Sequence, residues 1–310
     1  MPTPIRSLHH VTATVAEAQD DLHFATGDLG LRLVKRTVNF DNTGVYHFYY
    51  GDERGTPGTV WTTFPYKGMG VRVGQEGAGQ ITATSFSVPE GAVDFWKQRF
   101  AGRVEERGSP FGEEGLRLRD PSGLVIDLVA GSADPRTPWT GGGVTADTAV
   151  RGLHGVALTI RQPRPTVRFL TDVLGFDVIN ETGGRTRLAV NGDLPGHIVD
   201  IVHAPDAPPA VNGLGTVHHV AFAVADADEQ LAIRRELLRL GVHVTEVLDR
   251  QYFHSIYFRE PGGVLYEIAT MQPGFTIDEE VPDLGRDLKL PPWEEPRRGE
   301  IEAALPELNA

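Results

Sequence analysis

The sequence predicts an α+β fold in which one βαβββ module occurs four times, arranged as two halves of two modules each. Two repeated features predict it, and a repeated turn supports them. The same alternating strand opens four segments: Leu8-His-His-Val-Thr-Ala-Thr-Val15, Ile81-Thr-Ala-Thr-Ser-Phe-Ser-Val88, Leu153-His-Gly-Val-Ala-Leu-Thr-Ile160 and Val217-His-His-Val-Ala-Phe-Ala-Val224. Recurrence of one β-rich run points to repeated supersecondary units. Each run then leads into a helix-like stretch, as in Gly91 to Phe100, Pro165 to Leu174 and Asp226 to Leu240, the last with apolar residues at helical spacing. The modules also close alike. Asp120-Pro-Ser-Gly-Leu-Val-Ile-Asp127 matches Glu260-Pro-Gly-Gly-Val-Leu-Tyr-Glu267, and Leu194-Pro-Gly-His-Ile-Val-Asp200 and Thr56-Pro-Gly-Thr-Val-Trp-Thr62 are shorter versions. Pro and Gly preset turn dihedrals, so each motif reads as a turn followed by a strand.

Modules one and two are expected within residues 1–135, and modules three and four within 151–272. Between Gly131 and Val150 the chain turns to Gly, Pro, Thr and Asp without periodicity, which makes 136–150 the expected linker. Beyond Gln272 it is acidic and Pro-rich. Residues 273–310 read as an extended tail, packed over the surface or disordered, with one short helix near Glu300 to Leu305.

Composition narrows the function classes. A net charge of −13 with no offsetting basic patch repels phosphate backbones, so nucleic acid is not an expected partner. No run is long and apolar enough to span a bilayer, and Met1 to Ser7 lacks the apolar core of a signal peptide. A cytoplasmic protein without a membrane partner is expected. The chain has no cysteine, which fits a reducing compartment and confines any transition-metal site to imidazole and carboxylate. Four modules can close a cavity without a second chain, and a homo-oligomer is compatible with the sequence without being required.

Alternate side chains along a strand share a face. His9, Val11, Ala13 and Val15 form one set in the first strand, and Leu8, His10, Thr12 and Thr14 the other. In module four His218, Val220, Phe222 and Val224 form the bulky set, against Val217, His219, Ala221 and Ala223. The bulky sets are expected beneath the helices, which leaves His10 and His219 facing a cavity. Glu267, with Leu265 and Ala269 on its face, sits on a strand that otherwise reads as buried. A buried carboxylate without a cation or strong donors is costly. Two imidazoles and one carboxylate, with coordination positions left open, are the ligand set of non-haem Fe(II) oxygenases, and Mn(II) suits the same donors. A single strand histidine is more often a hydrogen-bonded core residue than a ligand; repetition at matching places is what favours a site. His154 takes the place in module three that His9 or His10 takes in module one. Alternation therefore leaves two triads open, with His10 or His154 joining His219 and Glu267.

Leu8-His-His-Val-Thr12, Val34-Lys-Arg-Thr37, Tyr46-His-Phe-Tyr-Tyr50, Gly55-Thr-Pro-Gly-Thr59 with Thr62-Thr-Phe-Pro65, His218-His-Val-Ala-Phe222 and Pro261-Gly-Gly-Val-Leu-Tyr-Glu267 form a combined pattern. Together they resemble the ring-cleaving dioxygenases of the glyoxalase/bleomycin resistance/extradiol dioxygenase superfamily, which has the vicinal oxygen chelate fold. The likeness runs from about Leu8 to Ala269 and is to the branch that contains chlorohydroquinone 1,2-dioxygenase and hydroquinone-specific dioxygenases. It implies an enzyme that opens the ring of a hydroquinone or catechol with O2, using Fe(II) held by His10, His219 and Glu267. It also implies that His154 is structural, that Arg250 and Tyr257 project toward the aromatic substrate, and that Thr12, His9 and His218 surround the ligands. One departure is local: in Asp249-Arg-Gln-Tyr-Phe-His254, Gln251 stands where the chlorohydroquinone enzyme has glycine, which bears on the shape of the pocket. The same fold also serves glyoxalase-like isomerases and thiol transferases, which usually use four protein ligands, and metal-free proteins that bind aromatic drugs.

Overall fold

Strand-forming runs and their turns organise the whole chain in the computed structural model, which describes residues 5–107, 111–131 and 134–309. Module one consists of β1 (Leu8–Val15), α1 (Ala18–His23), β2 (Arg32–Asn39), β3 (Asn42–Gly51) and β4 (Val60–Pro65). Module two consists of β5 (Gln80–Pro89), α2 (Val93–Arg99), β6 (Val104–Glu106), β7 (Gly115–Arg119) and β8 (Val125–Gly131). Module three comprises β9 (Gly152–Ile160), α3 (Pro163–Asp172), β10 (Asp177–Thr182), β11 (Arg185–Ala189) and β12 (Ile198–His203). Module four comprises β13 (Thr216–Val224), α4 (Ala227–Arg239), β14 (Leu248–Asp249), β15 (Phe253–Arg259) and β16 (Leu265–Pro273), and a last helix, α5, spans Arg298–Ala304.

The strands form two eight-stranded sheets among the described residues, in the orders β14-β15-β16-β13-β1-β4-β3-β2 and β10-β11-β12-β9-β5-β8-β7-β6. Each sheet therefore takes one module from each sequential half: the outer modules one and four share the first, and the inner two share the second. At each centre the opening strands of two modules pair antiparallel, β1 with β13 and β5 with β9. Each opening strand also runs parallel to the last strand of its own module. Parallel neighbours need a crossover, and the module's helix supplies it.

The bulky faces do the packing. Val11, Val15, Trp96, Phe222 and Val224 belong to one apolar core that spans both sheets, and the rings of Trp61 and Phe86 meet across them at 5.2 Å. The linker is drawn into the fold, with Val144 and Ala149 buried. Arg136 also donates to the carbonyls of Gly58 and Leu153 at 2.7 and 2.8 Å.

The acidic tail is a packed strap. Phe275 is buried against Tyr49 and Tyr252, with ring centroids 5.0 Å apart in both cases. Lys35, on the first sheet, is fully buried and pairs with Asp278 at 2.5 Å and with Glu279. Ile301 of α5 enters the main core. The anchors Phe275, Leu284, Leu290 and Ile301 follow no strand or helix period, which is why the sequence shows charge here and conceals the packing. Phe275→Ala is expected to lower the free energy of unfolding by about 3–5 kcal/mol in denaturant titrations. A loss below about 1 kcal/mol would show that the strap is not part of the cooperative unit.

Candidate metal centre

The seam between β1 and β13 builds the centre. Its register pairs Leu8 with Phe222, His10 with Ala221, Thr12 with His219 and Ala13 with Val217. His9 on one strand and His218 on the other are each skipped. An extra residue in one strand is a β-bulge, which breaks alternation and re-aims side chains. The expectation that His9 and His218 lie with the apolar sets beneath the helices is corrected here. His9 Nδ1 lies 2.9 Å from His10 Nδ1, and His218 Nδ1 lies 2.7 Å from His219 Nδ1. No glycine or proline marks either bulge, so the doubled histidines were the only sequence signal of it.

Three donor atoms converge beside the seam. His10 Nε2 is 3.3 Å from His219 Nε2 and 3.3 Å from Glu267 Oε2, and His219 Nε2 is 2.8 Å from the same oxygen. All three residues are buried. Donors about 2.1 Å from one ion and at right angles to each other stand about 3 Å apart. The three atoms have the spacing of one face of an octahedron, and this donor set fits a first-row transition metal. Glu267 Oε1 accepts a hydrogen bond from Ser255 Oγ at 2.5 Å. Glu267 Oε2 is buried and no well-directed hydrogen bond reaches it, an expensive arrangement for a carboxylate that lacks a cation. Burial alone would raise this carboxyl's pKa, but His10 and His219 outweigh it and hold it well below the usual range. Burial lowers His219 against the pull of Glu267, and burial together with His10 lowers His9 to about 3. Neutral imidazoles are the metal-binding form. With both Nε2 atoms turned to the centre, the proton of each ligand ring belongs on Nδ1, donated to Nδ1 of His9 or His218.

The second sheet repeats the scaffold without the chemistry. Its seam skips Thr82 and His154, so His154 matches the bulge residues His9 and His218 rather than a ligand. The positions matching His10 and His219 hold Gly155 and Ala83. At Gly155 any Cβ would sit 2.9 Å from the Ile198 carbonyl oxygen, so a larger side chain has no room. Asp127 and Asp200 match Glu267, since each pairs with the strand position corresponding to Ala221. Arginines neutralise them: Arg107 and Arg117 reach Asp127 at 3.0 and 2.7 Å, and Arg187 reaches Asp200 at 2.8 Å. His154 Nε2 faces Glu113 at 3.0 Å. In module one the matching position is Thr62, a hydroxyl where a fourth ligand would stand.

A cavity of about 420 Å³ opens over His10 and His219, with Glu267 fully buried beside them. Thr12, His218, Arg250 and Tyr257 all line it, whereas His9 is buried behind His10. Tyr257 stands edge-on to His219, with centroids 5.6 Å apart. Burial and the nearby Glu267 raise the Tyr257 phenol's pKa despite Arg250, so it stays protonated. Arg250 Nε donates to the Tyr257 hydroxyl at 3.3 Å, and its Nη2 to Asp41 at 3.1 Å. A tight turn presents Arg250: Gln251 N–H donates to Asp249 Oδ1 at 2.7 Å, and Gln251 takes φ +65°. That is the left-handed region, where glycine is relaxed and other residues carry strain.

Sequence reasoning missed several cavity residues, and His47 is the main one. It lies between the rings of Tyr49 and Phe64, at 4.0 and 4.1 Å, and its Nε2 meets Thr62 Oγ1 at 2.8 Å. Thr62 in turn donates to Thr12 at 2.9 Å. Burial, then His10 and His219, keep His47 neutral. Its only signal was its place in Tyr46-His-Phe-Tyr-Tyr50. Asn39, Asp41 and Tyr66 line the cavity as well and carried no signal at all.

A family model for the glyoxalase/bleomycin resistance protein/dioxygenase superfamily matches residues 152–268. The chain belongs to that superfamily, and over nearly its whole length it is similar to ring-cleaving members. It is 43% identical to MhqE of Bacillus subtilis, a candidate ring-cleaving dioxygenase, over 97% of this chain and 98% of that one. It is 35% identical to the chlorohydroquinone/hydroquinone 1,2-dioxygenase of Sphingobium indicum, over 97% of this chain and 96% of that one. The crystal structure of a candidate dioxygenase from Bacillus subtilis superposes with a TM-score of 0.94 at 39% identity, covering 100% of this chain and 99% of that one. Glyoxalase I from Zea mays shares the fold, with a TM-score of 0.62 at 12% identity over 86% of this chain and 92% of that one.

Ser255→Ala removes the one hydrogen bond that holds Glu267 Oε1. It is expected to lower the stability of the metal-free protein by about 1.5–3 kcal/mol, the range for bonds to charged groups. An unchanged denaturation midpoint would show that Ser255 does not hold the carboxylate.

Proposed function

We propose that this chain is an Fe(II)-dependent dioxygenase that opens the aromatic ring of a hydroquinone or catechol with O2. The observation that carries it is the buried face of two imidazoles and one carboxylate beneath an aromatic-walled cavity. The names of the ring-cleaving relatives support it. Iron held by His10, His219 and Glu267 would supply a Lewis acid for a phenol oxygen and one-electron chemistry toward O2. Mn(II) suits the same donors, and parallel loading with each metal distinguishes them. Both oxygen atoms end in the ring-opened product, so no external reductant is needed.

The other work falls to side chains. His9 and His218 fix the orientation of the ligand rings through their Nδ1 contacts. Tyr257 accepts from Arg250, which leaves its own proton free for a substrate oxygen. Arg250, steadied by Asp41, puts a positive charge beside the ring, where negative charge developing during ring opening is stabilised in a water-poor site. The aromatic rings of Tyr49 and Phe64 hold His47 flat against the cavity, and Thr12 and Thr62 tie His47 to the strand that carries His10. Thr62 at the fourth matching position weighs against a four-ligand glyoxalase-like isomerase or thiol transferase. A metal-free drug-binding protein has no use for an uncompensated buried carboxylate. The lack of cysteine supports a cytoplasmic setting, and no helix of the described residues is long and apolar enough to cross a membrane.

The test is anaerobic loading with Fe(II), followed by oxygen uptake with hydroquinone, methylhydroquinone and catechol. Uptake with formation of a ring-opened product is expected for at least one of them. Glu267→Ala and His10→Ala should each lower it by about a hundredfold or more, while His154→Ala should leave more than about half. No uptake with any of the three by a protein holding one metal per chain would rule out ring opening of these substrates.

A further inference from the structure

We infer that the ring this protein opens carries a neutral substituent about the size of a second ring, seated in an arm of the cavity that leads away from the metal centre. The inference deepens the proposed function and rests on it for the identity of the reacting ring. A cavity of about 150 Å³ is enough to hold benzene. The one above His10 and His219 measures about 420 Å³, so a bare hydroquinone leaves more than half of it unfilled.

Part of the surplus space lies along β1. His10, Thr12 and Thr14 line the cavity in turn along β1, and at about 3.3 Å per residue they extend it roughly 13 Å from the ligand. A single ring does not span that length. Thr14 pairs with Phe64 on the next strand, the Phe64 and Tyr66 rings lie 6.1 Å apart and Tyr66 is bonded to Asn39, so these four lining residues wall the arm at that end. Thr14 and Asn39 are only 7% and 9% exposed, so they form an inner wall and not the rim.

The wall chemistry specifies what fits. Asn39 spends its polar atoms internally: Nδ2 donates to the Tyr66 hydroxyl at 2.6 Å, and Oδ1 accepts from Asp41 N–H at 2.9 Å. What remains facing a ligand is mainly carbon, together with the neutral hydroxyls of Thr14 and Tyr66. Among the described lining residues Arg250 is the only Arg or Lys, and Asp41 already pairs with it. An anionic substituent finds no free cation in the arm, on a chain of net charge −13. An aryl or branched alkyl group therefore suits the arm, and a carboxylate does not.

The experiment uses the Fe(II)-loaded protein, first without O2. Binding of hydroquinone, phenylhydroquinone and carboxymethyl-hydroquinone is measured by calorimetry, and O2 is then admitted to follow uptake. Phenylhydroquinone is expected to bind at least about tenfold more tightly than hydroquinone, the scale of discrimination that an apolar pocket achieves. Carboxymethyl-hydroquinone should gain nothing over hydroquinone. Thr14→Trp, which fills the arm, should lower the phenyl-to-unsubstituted ratio of affinities by about tenfold; Thr14→Leu gives a milder filling if the first variant does not fold. Equal affinity for hydroquinone and phenylhydroquinone, tighter binding of the carboxylate, or a ratio unmoved in the folded variants would overturn the inference. Selective binding without oxygen uptake would uphold the arm and contradict ring opening, so the two claims fail separately.

Discussion

Glu267 is the constraint on which the rest of the site depends. A fully buried carboxylate with an uncovered oxygen is tolerable only if positive charge or strong donors meet it. The fold meets it by joining the first and last modules, some two hundred residues apart in sequence, along one antiparallel seam. That seam delivers one imidazole from each strand to the same side of the carboxylate. The two bulges then set a second imidazole against each one, His9 buried behind His10 and His218 beside His219 at the cavity wall. Without the seam, Glu267 keeps only the Ser255 hydrogen bond on Oε1 and no imidazole faces Oε2; without the bulges, the ligand rings have nothing to hold their Nδ1 protons.

The second sheet shows that the constraint belongs to the scaffold as a whole. Its aspartates occupy the same strand positions, and arginines from neighbouring strands neutralise them. One solution fills the cup with fixed guanidinium groups; the other leaves it open to a metal and a substrate. A buried ion-pair network is weak evidence of stability, but here it explains why the inner modules need no cavity. The tail contributes on the opposite side. It packs Phe275 under Tyr49 and Tyr252, whose neighbour Phe253 lies 5.1 Å from the His10 ring, so the strap backs the wall that positions the ligand.

Much of this architecture was legible in the sequence because repeats and periodicity are local. The four opening runs mark the four central strands to within a residue or two, and the helix-like stretch Gly91 to Phe100 contains α2 at Val93–Arg99. Strand alternation singled out His10, His219 and Glu267, whose donor atoms lie together in the structure, by the same local logic. The pairing of module one with module four was not legible from alternation, because it is a long-range choice. His154 therefore stayed a rival until the seam register showed it to be a bulge residue. The bulges themselves left only the doubled histidines as a mark, since no glycine or proline accompanies either of them. His47 and Asn39 were missed because a lone polar residue on a strand has no pattern to stand out from. The tail's packing was hidden by its charge.

The central claim is that His10, His219 and Glu267 together hold one transition-metal ion while the matching positions of the second sheet hold none. The most direct measurement is a crystal structure of the Fe(II)-loaded protein with anomalous data collected at the iron absorption edge. The account predicts a single strong peak per chain, bonded to His10 Nε2, His219 Nε2 and Glu267 Oε2, with the Asp127 and Asp200 cluster bare. A peak among Asp127, Asp200 and His154, or iron bound without Glu267, would contradict it.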